Sequence, residues 1–112
     1  MFEENKEDFR KWLIEDKKLS SRVAGDVLSR CKRLNKTILE SIDLSISSPE
    51  SYLTSLKEIK DYSRHGKQSA KTQYALDATL IAAMKKYCEY RNPHTFQNYP
   101  NAYSIRGYKR SS

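Results

Sequence analysis

Helix breakers are scarce in this chain. It has three glycines and three prolines among 112 residues, and two of the prolines, Pro93 and Pro100, fall in the last twenty positions. Long stretches remain in which apolar residues recur every three or four positions, so the expected fold is all-α, made of long helices rather than a many-turned β fold. Hydrophobic residues make up 38% and charged residues 31%, a balance suited to a small helical bundle with one core and a large solvated surface. The expected organisation is one compact domain over residues 1–92 and an aromatic, basic C-terminal extension over residues 93–112.

The spacing predicts a first helix from about Glu3 or Lys6 to Lys17, with Phe9, Trp12 and Leu13 on its apolar side and Phe2 beneath them. Its acids (Glu3, Glu4, Glu7, Asp8) cluster at the N-terminal end and Lys17 and Lys18 at the other, which complements the helix dipole. A second helix is expected from Ser20 or Ser21, either able to cap, to about Leu39. Val23, Val27, Cys31, Leu34 and Ile38 line its apolar side with Ala24 beside them, and Gly25 is a weak spot in its propensity. Ser41 to Ser48 reads as a connection. Ser48-Pro49 then starts a third helix, with Ser as cap and Pro at the first helical position, and Tyr52, Leu53, Leu56, Ile59 and Tyr62 on its apolar face. Gly66 reads as its stop. The fourth helix is expected from Ser69 to Tyr90, with Leu76, Leu80, Ala83, Met84 and Tyr87 on one face and Tyr74, Ala78, Ile81 and Cys88 on a second. Two apolar faces predict a central position.

Charge is unevenly spread. The net charge is +7, yet residues 1–16 hold six acids against three bases, a net of −3, so the rest carries +10. Opposite the apolar side of the second helix stand Arg22, Asp26, Ser29, Arg33 and Lys36, flanked by Arg30 and Lys32. Such a concentration of cations on one helix face attracts polyanions, nucleic acid foremost. Lys67 and Lys71 flank the start of the fourth helix, where phosphate could also meet exposed backbone amides.

Several function classes find no support. The two cysteines, Cys31 and Cys88, lie within apolar helical patterns and read as buried small hydrophobes of a reducing compartment. With His65 and His94 they show no short-spaced ligand motif, so no metal or other cofactor is expected. No glycine-rich phosphate loop occurs, and the N-terminal acids read as helix-start residues rather than an acid/base pair. Tyr108 beside Lys109 and Arg110 lacks the bases that would activate a nucleophile, so no catalysis is expected. An acidic N-terminus without an apolar run is not a secretory leader, and no stretch reaches the length of a membrane span, which predicts a cytoplasmic protein, nucleoid-associated if it binds DNA.

The pattern Phe9-x-x-Trp12-Leu13, then Leu19-Ser20, then Asp26-Val27-Leu28-Ser29-Arg30-x-x-Arg33-Leu34 resembles the N-terminal core-binding (SAM-like) domain of tyrosine recombinases and phage integrases. Ala82-Ala83-Met84-Lys85-Lys86-Tyr87-Cys88-Glu89-Tyr90 resembles the end of that domain's last helix, so the likeness covers about residues 6–92. It implies a four-helix SAM-like bundle that forms half of a clamp around duplex DNA and sets its second and fourth helices against it. Carried over by position, the contacts are Ser21, Arg22, Arg30 and Arg33 on the second helix, and Lys67, Ser69, Lys71 and Thr72 on the fourth. Val23 stands where the family often has Thr, which removes a phosphate or cap contact. The residues of the family's catalytic domain do not occur in these 112 positions, so the likeness implies holding without cutting or joining.

The expected function is therefore non-catalytic duplex-DNA binding, as a regulator or accessory factor in a phage or mobile-element setting. Arg22, Arg30, Lys32, Arg33, Lys36, Lys67 and Lys71 supply its phosphate contacts. A protein-interaction module that binds a recombinase, a repressor or a host enzyme is the alternative, supported by the acidic first helix and the tyrosine-rich extension. The extension offers Tyr99, Tyr103, Arg106, Tyr108, Lys109 and Arg110 as further contacts, either stacking on single strands or folding back to enlarge the core. Neither a membrane nor a small-molecule substrate is expected.

Overall fold

A computed structural model describes the backbone of residues 1–64 and 70–100, and the side chains of these except residues 64 and 70–75. Among the described residues the fold is entirely helical. It comprises α1 (Phe2–Glu15), α2 (Ser21–Arg33, continued by a π-helical turn over Leu34–Ile38), α3 (Ile42–Ser45), α4 (Pro49–Arg64) and α5 (Ala70–Arg91), followed by a 3₁₀ turn over Phe96–Asn98. None of these helices is long and apolar enough to cross a membrane.

Each boundary has a local cause. Ser20 caps α2 by accepting the Val23 N–H at 3.1 Å, and Ser48 caps α4 by accepting from Ser51 N at 3.1 Å, which leaves Pro49 at a position that needs no N–H. The first helix stops at Glu15 rather than Lys17. Asp16 and Lys17 both donate to the Trp12 carbonyl, Leu19 N reaches the Leu13 carbonyl at 3.1 Å, and Lys18 takes a left-handed conformation (φ 61°), the usual geometry of a helix stop.

Two expectations need correction. The second helix does not run on regularly to Leu39: its last turn widens, and Leu39 N donates to Leu34 O at 2.8 Å. The stretch 41–48 is more than a connection, since Ser41 accepts from Leu44 N and starts the one-turn helix α3, making five helices instead of four. Ile42 and Ile46 anchor that turn in the core. Asn35 on the π-turn holds it from one side, accepting Ile42 N at 2.9 Å. Asp43 holds it from the other: it accepts Phe2 N at 2.8 Å, capping α1 from across the fold, and the Tyr87 hydroxyl at 2.6 Å.

The long helix α5 is central, packing against α1, α2 and α4. Leu80, Ala83, Met84 and Tyr87 are buried on it as expected, as are Ile81 and Cys88. Ala78 and Ala82 are exposed, so the helix has one broad buried face and an outer alanine strip rather than apolar faces on two sides. Phe2 and Phe9 meet Tyr87 edge-on at 5.4 and 5.1 Å, and Trp12 leans on Tyr90 at 5.5 Å. Apolar burial of such rings, at roughly 25 cal/mol per Å², is the main force joining α1 to α5. Phe96 and Tyr99 also fold back against the core; the Tyr99 hydroxyl donates to the Ile46 carbonyl at 2.7 Å and its ring meets Tyr52 edge-on.

Candidate nucleic-acid interface

The second helix inserts Ala24, Val27, Cys31 and Leu34 into the core, and that choice of inward face fixes what points outward. Val23, expected inside, is 41% exposed. The smaller Ala24 takes its place against the neighbouring helices, while Val27, Cys31 and Leu34 are buried as expected. On the opposite side Arg22, Asp26, Ser29, Lys32, Arg33 and Lys36 are all exposed, and Arg30 is half-buried at the edge.

Not all of these residues are equally available. The Ser21 hydroxyl accepts from Arg10 at 2.6 Å, so it joins the start of α2 to α1. The Arg33 guanidinium donates to the Tyr62 hydroxyl at 3.0 Å and lies 5.7 Å from that ring, which ties the end of α2 to the end of α4. Arg22, Arg30, Lys32 and Lys36 form no ion pair among the described residues. The start of α1 borders this face: the Glu3 carboxyl is held below its ordinary range first by its hydrogen bond to Lys6, and further by Lys36 and Lys32 across the helix pair. Gly25 sits on the same outer side, and a Cβ added there would meet nothing within 4 Å. No other part of the described fold requires that glycine.

Of the second group of expected contacts, Lys67 and Ser69 lie outside the described residues. So do the side chains of Lys71 and Thr72, together with His65, Gly66, Tyr103, Arg106, Tyr108, Lys109 and Arg110. Tyr99 is described, and it spends both its ring and its hydroxyl on internal contacts. One cation not expected among the contacts acts on a residue of α2. Lys86 of α5 is near enough to Cys31 to oppose, in small part, the rise of its thiol pKa that burial causes. Its proximity depends on how α2 crosses α5, and no spacing along the chain shows it.

Between α4 and α5 lies a polar cluster that periodicity also misses. Lys60, 6% exposed, donates to Asp77 Oδ2 at 2.8 Å, and the buried Ser63 hydroxyl donates to the other oxygen of the same carboxylate. The positions 60, 63 and 77 carry no motif; the signal available was only that Lys60 and Ser63 fall near the apolar side of α4. Both cysteines are buried with raised thiol pKa values, Cys88 to about 11, mainly through desolvation. Among the described residues no three His, Cys, Asp or Glu side chains converge on a metal-sized site. Comparison with known protein families, with curated proteins and with solved structures finds no match in any of the three.

Proposed function

We propose that this chain is a non-catalytic duplex-DNA-binding protein, of the core-binding type that its helical motifs resemble, acting as a regulator or accessory factor in a phage or mobile-element setting. It grips phosphates with the outer face of α2 and with the lysines around the start of α5. The observation that carries the reading is the state of Arg22, Lys32 and Lys36. These three exposed cations stand on one helix face without an ion-pair partner among the described residues, and the chain carries an excess of seven positive charges.

An unpaired surface cation costs little to keep and gains most when it meets a phosphate, because each contact frees a condensed counterion. Arg30 stands half-buried at the edge of the face and widens it. Arg33 is held by Tyr62 in a fixed pose, which lowers the entropy lost when its remaining N–H groups take up a phosphate. Gly25 leaves room for a phosphate backbone to come close between Arg22 and Ser29.

The test is binding of the full chain to a labelled duplex at several salt concentrations. Five phosphate contacts predict a log–log slope of about −4 to −5, and Arg22→Ala with Lys36→Ala should reduce its magnitude by about 2. No binding at low salt, or a slope that the double substitution leaves alone, overturns the reading in favour of a protein-interaction module.

A further inference from the structure

The acidic counterpart of the α2 face lies between α3 and α4. Glu40, Leu44, Ser47, Ser51, Thr54 and Glu58 line an open groove of about 330 Å³ there. Leu44 is 53% exposed. Glu40 and Glu58 are both exposed and form no ion pair among the described residues. Beneath them the hydroxyls satisfy one another, Ser55 donating to Ser45 at 2.6 Å and Ser45 to the Ser41 carbonyl at 3.0 Å. The floor is therefore settled, while the rim offers two carboxylates and one apolar side chain.

We propose that this groove is the docking site of the chain's own C-terminal segment, residues 101–112. Three observations converge on that occupant. The first is position. Tyr99 is fixed by its hydroxyl on the Ile46 carbonyl and its ring on Tyr52, and Ile46 stands between Ser45 and Ser47, both in the groove wall. The described chain ends one residue later, at Pro100, so residues 101–112 follow closely on a side chain anchored next to the groove wall.

The second observation is chemical fit. Residues 101–112 contain Arg106, Lys109 and Arg110, no acid, and Tyr103, Ile105 and Tyr108. Cations for Glu40 and Glu58 are thereby combined with apolar groups for Leu44. The third is reach. Twelve residues can extend about 40 Å, so length does not limit access to any part of the groove. Exposed ion pairs are individually weak, but a tethered segment meets its site at an effective concentration of about millimolar. Docking in this way commits the segment's three cations to the chain's own carboxylates and withholds them from a polyanion. The proposal is independent of what α2 binds.

The experiment uses the full chain with a spin label on Ser111→Cys, since Cys31 and Cys88 are buried. Backbone amide signals are recorded with the label active and reduced. The expected result is loss of most of the signal intensity at Leu44, Ser47, Ser51 and Thr54. That loss should disappear in Glu40→Lys/Glu58→Lys, disappear separately in Arg106→Glu/Lys109→Glu/Arg110→Glu, and return when the two sets are combined. Groove amides that keep their intensity in the unsubstituted chain overturn the proposal, as does a loss that either charge reversal leaves in place. Broadening of an unlabelled copy mixed with a labelled one assigns the groove to a second molecule and overturns it equally. The tail-side reversal changes none of the described residues, so the test stands even if the groove-side variant unfolds.

Discussion

Two sets of cations in this molecule belong to the same residue classes and meet opposite fates. On α2, Arg22, Lys32 and Lys36 face solvent without ion-pair partners among the described residues; between α4 and α5, Lys60 is enclosed with Asp77 and Ser63. The first set contributes little to folding and remains available for an external anion. The second is committed internally: taking an ammonium and a carboxylate out of water costs several kcal/mol per ion, and only close, well-oriented contact offsets that cost. A buried pair of this kind specifies which residues of α4 and α5 must face each other more than it adds net stability. One surface stays open to solvent, the other is enclosed between two helices.

The contrast is broken most strongly by Asp77→Ala, which removes the carboxylate that Lys60 contacts at 2.8 Å. A loss of about 3–5 kcal/mol is expected, read from urea unfolding at neutral pH. Replacing these three side chains together (Lys60→Met, Ser63→Ala, Asp77→Leu) should instead cost far less than Asp77→Ala. If the triple variant is as damaged as Asp77→Ala, the pair contributes more than register.

Alkaline pH probes the interior groups whose titration burial shifts. Burial raises the thiols of Cys31 and Cys88 and the hydroxyls of Tyr52 and Tyr87, Cys88 from an ordinary value of 9.0 to about 11. Below pH 9 the Cys88 thiol holds its proton in both folded and unfolded chains, and its contribution is fully present. Between pH 9 and about 11 the unfolded chain loses the proton first, so stability falls as pH rises, by about 2 kcal/mol for this group. The expected outcome is a melting temperature steady up to pH 9 and falling above it, with a shallower fall in Cys88→Ala.

Smaller effects sharpen the outer side of the comparison. Gly25→Ala should stabilise α2 by up to about 1 kcal/mol, since alanine is the better helix former and the new methyl meets no neighbour. If duplex affinity drops in that more stable variant, the glycine serves close approach of a ligand. Arg22→Ala and Lys36→Ala should change unfolding free energy by less than about 0.5 kcal/mol each. A larger loss would mean that the stripe is structural after all.

Much of the helical framework is legible in the residues. Ser20 and Ser48 announce helix starts because a hydroxyl before an apolar-periodic run satisfies a free amide; Leu80, Met84 and Tyr87 announce a buried face by their three- and four-residue spacing. What stays hidden depends on groups remote in the chain. The one-turn helix α3 exists because Asp43 can cap α1 and receive the Tyr87 hydroxyl, partners 41 and 44 residues away. Val23 and Ala24 both fit an apolar stripe on paper, and the tight contact with neighbouring helices selects the smaller one.

By itself, then, the sequence determined an all-helical chain, its main helix starts and the placing of cations along one side of α2, because these follow from local capping and from a period of 3.6 residues. Tertiary packing decided how far each cation is engaged. Arg33 turns to Tyr62, Arg10 to Ser21 and Lys60 to Asp77, while Arg22, Lys32 and Lys36 are left outward. Those pairings are set by which helix crosses which, and a crossing is fixed by side-chain shape across the whole core rather than by any stretch of neighbouring residues.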